Sequence, residues 1–328
     1  MTSSGPPGSR AAAGVGPNAA RTLDSREANP EPLPTRSLDR CLACGGDSLA
    51  PLPLRYEHRG TFPLVECRRC GMRFLQAQPT AEGLLQLYGA DYFQRDFRCG
   101  RCAVDSFREE AFRDENRTLV DAFARLRPPG RLLELGSAAG WLLKHAAEHG
   151  WEAVGVELSS AAVAHARSLG LEVHEGGLPG VALPAASFDV AYLGDVLEHV
   201  PDCRATLAEV ARVLKPGGFV YLRGPITTHS LARELALRGA ALAGRSIVLR
   251  EPPYHLWEFT PRSLRALAAA VGLRVVELKQ SKIPPGHAHG EKSAIQRAAM
   301  AAIDAVNVPI TRVLGAWGDR VVLVAQKR

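Results

Sequence analysis

The chain has no apolar stretch approaching the roughly 18 residues that cross a bilayer as a helix, which sets aside a membrane-spanning protein. It has no run of roughly five or more like charges. Lys and Arg are spread along its length, so a net charge of +6 permits an anionic partner without requiring one. Aromatic residues make up only 6% and do not interleave with a basic stripe, so a nucleic-acid platform is not expected. The opening MTSSGPPGSRAAAGVGPNAARTL lacks a charged start followed by an apolar core. No secretory signal is expected there, and the expected location is the cytoplasm.

What is present is an ordinary globular composition, 46% hydrophobic over 328 residues, enough for one large domain or two smaller ones. Residues 1–38 are rich in Ala, Gly, Pro, Ser and Arg without hydrophobic periodicity, and are expected to be a disordered tail. A zinc ribbon is expected over 39–75, a linker with leading helices over 76–127, and an α/β domain over 128–328.

Seven cysteines occur. Cys41 and Cys44 form one C-x-x-C, Cys67 and Cys70 a second, with 22 residues between the pairs. Two such knuckles set four thiolates around one zinc, and Gly45, Gly46 and Gly71 follow where tight turns need permissive backbone. Four sulfur ligands leave no open position, so the metal's expected role is structural. Cys99 and Cys102 form a third pair. Only Cys203 is left to accompany it, so an incidental loop pair is expected there. His287 and His289 lack an obvious third ligand. The stretch from 104 to 126 is expected to be a charged helix with Phe107, Leu119, Phe123 and Leu126 on one face.

The segment RLLELGSAAG, Arg131–Gly140, organises the rest. Leu132, Leu133 and Leu135 predict a buried strand, and Gly136 and Gly140 a bare turn before a helix at Trp141. Such a turn lets a ligand approach main-chain N–H groups and the positive end of a helix. Glu134 and Ser137 belong to this turn. A second strand ends at Glu157, 23 positions after Glu134. A ribose-binding acid falls roughly 20 residues beyond a glycine turn of this kind. The minimal reading is an adenosine-type cofactor on a doubly wound parallel sheet. A nicotinamide or flavin site would favour G-x-G-x-x-G, whereas here the spacing is E-x-G-x-x-x-G.

This loop resembles the first motif of class I S-adenosylmethionine-dependent methyltransferases, acid-x-Gly-x-Gly-x-Gly, with Ala138 in place of the middle glycine. Ser187–Val200 resembles their F-D-(apolar)-L-E-H element, and Leu214–Phe219 the L-K-P-G-G turn before the fifth strand. The cysteine pairs and the following FLQAQPTAEGLLQLYGADYF resemble the zinc-ribbon leader of a bacterial group acting on small molecules and glycans. Tyr88 and Tyr92 in it are candidates to lid the pocket, although a plain linker helix explains most of its apolar positions.

The resemblance implies a seven-stranded Rossmann-like sheet with an antiparallel last strand, a helical cover over 226–258 and an insertion over 282–317. It implies S-adenosylmethionine bound by Glu134, Gly136, Ser137, Gly140, Glu157, Leu158, Gly177, Leu178, Gly194, Asp195 and Val196. Gly177 stands where an adenine-binding Asp usually falls, which leaves the N–H of Leu178 to read the ring edge. It also implies a methyl acceptor among small molecules, sugars or glycan precursors, methylated at oxygen. His199, with its ordinary near-neutral pKa, then His255 and Tyr254 are the candidate groups for removing the hydroxyl proton. Each also has a plain structural explanation. Arg223 is either an anion-holding group or an ion-paired one. The alternatives are a zinc-ribbon methyltransferase acting on ribosomal RNA and a non-catalytic binding module of the same fold.

Overall fold

In the computed structural model, which describes residues 31–87, 107–281, 294–315 and 317–328, the first element is the short strand β1 (Thr35–Ser37). It pairs antiparallel with β5 (Ala77–Pro79). Leu33 beside it is buried. The disorder expected as far as residue 38 therefore does not extend over this strand. Backbone pairing and one buried leucine supply what the surrounding composition lacks. Residues 1–30 lie outside the described residues, as do Tyr88, Tyr92, Phe93, Cys99, Cys102, His287 and His289.

A meander follows, β2 (Leu49–Glu57), β3 (Thr61–Cys67) and β4 (Arg73–Leu75), and then α1 (Ala81–Leu87). The helix expected over 104–126 is shorter. A 3-10 turn at Glu109–Ala111 precedes α2 (Arg113–Leu126). Leu119, Val120 and Phe123 of α2 pack with Leu132, Trp151 and Tyr192 on one face of the main sheet.

That sheet starts with β6 (Arg131–Leu135). Then come α3 (Trp141–Glu148), β7 (Glu152–Glu157), α4 (Ser160–Ser168), β8 (Glu172–Glu175), β9 (Phe188–Gly194), α5 (Cys203–Val213) and β10 (Leu214–Pro225). The remainder comprises α6 (Leu231–Leu242), β11 (Ile247–Leu249), β12 (Trp257–Glu258), α7 (Pro261–Ala270), β13 (Leu273–Ser281), α8 (Ala294–Leu314) and β14 (Arg320–Lys327). No helix among the described residues is long and apolar enough to cross a membrane.

Seven strands form one sheet in the order β13-β14-β10-β9-β6-β7-β8. Five of them, β10 to β8 in that order, are mutually parallel. β14 runs antiparallel between β10 and β13. Phe188–Leu193 are all buried, as expected for a central parallel strand covered on both faces. Strand order reverses between β6 and β9, so the loops leaving the carboxyl ends of β6, β7, β8 and β9 border a crevice where such sheets bind ligands.

Asp189 fastens the opposite end of this sheet. Its Oδ2 accepts from Arg131 N at 2.9 Å and Lys215 Nζ at 2.7 Å, tying β6, β9 and β10 together. Burial opposes its charge, but Lys215 and the Arg131 N–H outweigh burial and hold the carboxyl below its ordinary range. A carboxyl depressed in the folded state adds stability above its unfolded pKa, about 3.9, and loses it as pH falls through the folded value. Asp189→Asn should lower the unfolding free energy by about 1.5–3 kcal/mol near neutrality. The gap to wild type should close below about pH 4. Denaturant melts at both pH values test this, and a gap independent of pH would refute it.

The second sheet has five strands, β11-β2-β3-β4-β12. Its outer members come from the segment expected to be a helical cover. That cover is therefore a 3-10 turn at Thr227–His229 and one α-helix, α6, followed by two strands that extend the cysteine-bearing meander. Phe74 and Trp257, both fully buried, meet across β4 and β12 with ring centroids 5.7 Å apart. Thr260 and Ser263 form a capping box at the start of α7, with Pro261 at the first helical position. The Thr260 hydroxyl also donates to the carbonyl of Cys70 at 3.3 Å.

Candidate functional site

The turn after β6 takes its shape from residues that tolerate left-handed backbone. Gly136 and Gly140 have φ of 74° and 85°. A Cβ on Gly136 would overlap Val196 Cγ2, so glycine is required there. Ala138, where a third glycine was expected, also sits in the left-handed region at φ 46°. Its N–H donates to Glu157 Oε2 at 2.8 Å, while Ser159 N donates to Glu157 Oε1 at 2.9 Å. Two main-chain donors thus fix the carboxylate at the end of β7. Burial nevertheless raises its pKa from the ordinary value.

Glu134 is buried, and its Oε2 has no hydrogen-bond partner; nor has the buried Ser137 hydroxyl. Burial, helped by the charge of Glu157, pushes the Glu134 carboxyl well above its usual range. Unpaired polar atoms in a buried turn are costly unless a ligand meets them. Leu158, next to Glu157, is 65% exposed. A Cβ on Gly177 would lie 3.7 Å from Leu158 Cδ2, so this leucine and the Gly177–Leu178 turn border one apolar surface.

On the far side of the crevice, β9 ends at Gly194 and Asp195 adopts φ 55°. Asp195 N donates to Arg223 O at 2.8 Å. Both Asp195 carboxylate oxygens accept from Arg320 Nη2 at 2.7 Å. Burial opposes the Asp195 charge, and Arg320 more than offsets it, holding the carboxyl below the usual range. Arg223 pairs with Glu115, so of its two expected roles the structure shows the ion pair.

The candidate proton-handling residues come together. The rings of His199 and His255 meet edge to face, centroids 4.9 Å apart. His199 Nδ1 lies 2.9 Å from the carbonyl oxygen of Tyr254. A carbonyl only accepts, so Nδ1 carries the hydrogen. Tyr254 thus enters the site through its main chain. His255 Nδ1 faces Glu258 Oε1 at 3.4 Å, and Glu258 also accepts from the Thr228 hydroxyl at 3.1 Å. Glu198, only 3% exposed, has its Oε1 3.9 Å from His199 Nε2. The carbonyl of Glu198 accepts from Leu256 N at 2.8 Å, and Trp257 Nε1 donates to Val200 O at 2.7 Å.

The near-neutral pKa expected for His199 does not hold. Burial, with the neighbouring His255, lowers it to about 3, so the ring stays neutral at working pH. Burial also works against a charge on His255, but Glu258 outweighs it and raises this residue to about 9. Burial and the charge of Asp195 push Glu198 to about 8. Glu198, Glu258 and Arg320 carry much of this arrangement. Glu198 is the Glu of the L-E-H element but is not among the candidates singled out from sequence, and Glu258 and Arg320 have no sequence signal of their own.

The four cysteines of the meander converge, with all four sulfurs within 4.8 Å of one another. Cys41 and Cys70 stand 3.5 Å apart, as do Cys44 and Cys67. Gly45 N donates to Cys41 O and Gly71 N to Cys67 O, the two glycines having φ of 74° and 73°. Four thiols on two glycine-closed knuckles match the donor set of a closed zinc site.

Known proteins resemble parts of this chain. The family described as "Methyltransferase domain" matches residues 105–278. Over 157 residues the chain is 31% identical to a ubiquinone biosynthesis O-methyltransferase of Brucella anthropi, spanning 45% of this chain and 61% of that protein. Over 138 residues it is 38% identical to the nocamycin O-methyltransferase of Saccharothrix syringae, spanning 39% of this chain and 49% of that protein. A solved S-adenosylmethionine-dependent methyltransferase from Mesorhizobium loti superposes with a TM-score of 0.43 at 20% identity, covering 63% of this chain and 96% of that one.

Proposed function

This chain belongs to the methyltransferase-domain family, and from that premise we propose that it transfers a methyl group from S-adenosylmethionine to an oxygen of a small molecule, sugar or glycan precursor. The observation that carries the reading is Glu157. Its carboxylate is fixed by Ala138 N and Ser159 N at the end of β7, beside the orphaned Glu134 and Ser137 atoms. That is the place and chemistry for two ribose hydroxyls, with the glycine turn and Glu134 facing the charged amino-acid end. Leu158, Gly177 and Leu178 offer the apolar edge an adenine needs. The left-handed Ala138 keeps its N–H in use, which favours a working site over a decayed one.

S-adenosylmethionine brings an already activated methyl on a sulfonium, so the protein's task is chiefly to position an acceptor. Asp195 and Val196 border the methyl side. Glu198, His199 and His255 face the acceptor, with Tyr254 and Glu258 fixing the two rings. The relatives' names describe O-methyltransferases, which supports oxygen as the target. We further assign a structural zinc ion to Cys41, Cys44, Cys67 and Cys70.

Isothermal titration of S-adenosylmethionine and of its demethylated product, with zinc content read on the same sample, tests both assignments. Binding in the micromolar range with about one zinc per chain is expected from a single closed four-thiolate site. Protein that binds neither form of the cofactor would sink the proposal.

A further inference from the structure

We propose that Glu198, His199 and His255 form a second metal site, for a divalent transition-metal ion that holds the acceptor's oxygen. The metal site stands on its own geometry, while its use in catalysis rests on the methyltransferase reading above.

One ligand atom from each of the three residues falls within 4.8 Å of the others. Glu198 is 3% exposed, and its Oε1 has no hydrogen-bond partner although it points at His199 Nε2, 3.9 Å away. A buried carboxyl oxygen without a hydrogen-bond partner is costly, and a metal ion that displaces the protons of Glu198 and His255 would supply that partner. Both rings are also held as metal-bound histidines are held. His199 donates through Nδ1 to the Tyr254 carbonyl, and His255 sets Nδ1 against the Glu258 carboxylate. An outer oxygen on one ring nitrogen fixes the ring and makes the other nitrogen the ligand atom. Main-chain bonds from Leu256 N and Trp257 N to the Glu198 carbonyl lock the two ligand-bearing stretches together.

Two histidines and one glutamate are a donor set of catalytic zinc and of related ions, with a position left open. The four-cysteine site has none. The charge of Asp195 acts on both Glu198 and His255, so a ligand in that open position would adjoin the loop after β9, which the methyltransferase reading sets at the methyl side. An acceptor hydroxyl bound there loses its proton to water more readily, because the ion stabilises the oxyanion. The oxygen then forms its bond to the methyl carbon as the carbon–sulfur bond breaks, and that electron pair passes to sulfur, leaving a neutral thioether.

The test uses full-length protein with zinc already in the cysteine site. Co2+ is added, its binding is followed by visible absorption, and S-adenosylmethionine affinity is measured on the same sample. The expected result is one further cobalt per chain with a nitrogen and oxygen spectrum lacking thiolate charge-transfer bands. Glu198→Gln and His255→Ala should each weaken this binding by at least about tenfold. Retained S-adenosylmethionine affinity in either variant shows that the sheet remains folded. Absence of a second cobalt, binding unchanged in both variants, or a thiolate-type spectrum would overturn the proposal. Cobalt failing while S-adenosylmethionine binds removes the metal site alone. S-adenosylmethionine failing in wild type removes the methyltransferase reading instead.

Discussion

Glu157→Ala should weaken S-adenosylmethionine binding by about 1–3 kcal/mol, roughly five- to 150-fold in Kd, from lost hydrogen bonds to a charged group. The loss has two sources. One is the removal of the acceptor offered to the ribose hydroxyls. The other lies within the protein, since the N–H groups of Ala138 and Ser159 both lose their partner, and the turn between Gly136 and Gly140 loses its tie to β7. Glu157→Gln should not rescue binding, because an amide places a donor against one of those two N–H groups. Calorimetry on the three proteins checks this, with thermal melts to show that the sheet is intact. Unchanged affinity in Glu157→Ala would take the residue out of the ribose role.

The second large effect concerns the cysteine site. Zinc bound to folded four-ligand sites contributes apparent energies of about 10–16 kcal/mol at neutral pH, so Cys67→Ser or a strong chelator should unfold the meander. The damage should not stay within residues 39–75. β12 is hydrogen-bonded to β4 through Trp257 and Phe74, and the same short segment holds the Glu198 carbonyl and carries His255 and Glu258. Loss of the metal should therefore abolish methyl transfer. The glycine turn and Glu157 lie on the seven-stranded sheet, so cofactor affinity should change by less than about threefold, well under 1 kcal/mol. Separate measurements of cofactor binding and turnover on metal-free protein distinguish the cases. Turnover that survives complete zinc removal would show that the ribbon does not support the acceptor side. Loss of cofactor binding as well would make it part of the cofactor site.

The glycine turn and the strand-end acid were legible because their signals are local. Gly136, Gly140 and Glu157 sit where a turn and a strand end put them, and neighbouring residues dictate both. The cysteine cluster was legible because C-x-x-C spacing is itself a geometric constraint. The cluster proposed to face the acceptor was harder to read. His199 and His255 are 56 positions apart, and nothing local in either stretch shows that the Glu198 carbonyl joins them. Reading His199 as near-neutral failed for a related reason, since a pKa follows from burial and neighbours and not from residue type. Arg320, which grips Asp195, is similarly a product of long-range strand pairing. The segment over 226–258 looked like a helical cover, yet two pieces as short as Ile247–Leu249 and Trp257–Glu258 gain strand structure only by pairing with the meander.

The placement of β14 bears on the order in which the protein assembles. The parallel strands β6 to β10 can come together through successive crossover units, each closing a modest loop. β14 has to insert between β10 and β13, and its pairing of Phe219 with Gln326 joins residues about a hundred positions apart, a slow contact to close. Arg320, its first residue, brings the only cation that both Asp195 oxygens contact at 2.7 Å among the described residues. Until that strand docks, the turn after β9 carries a carboxylate without the guanidinium that both its oxygens contact. The crevice therefore matures late, and a ligand that binds only the finished crevice would draw newly folded chains through this last insertion and hold them there.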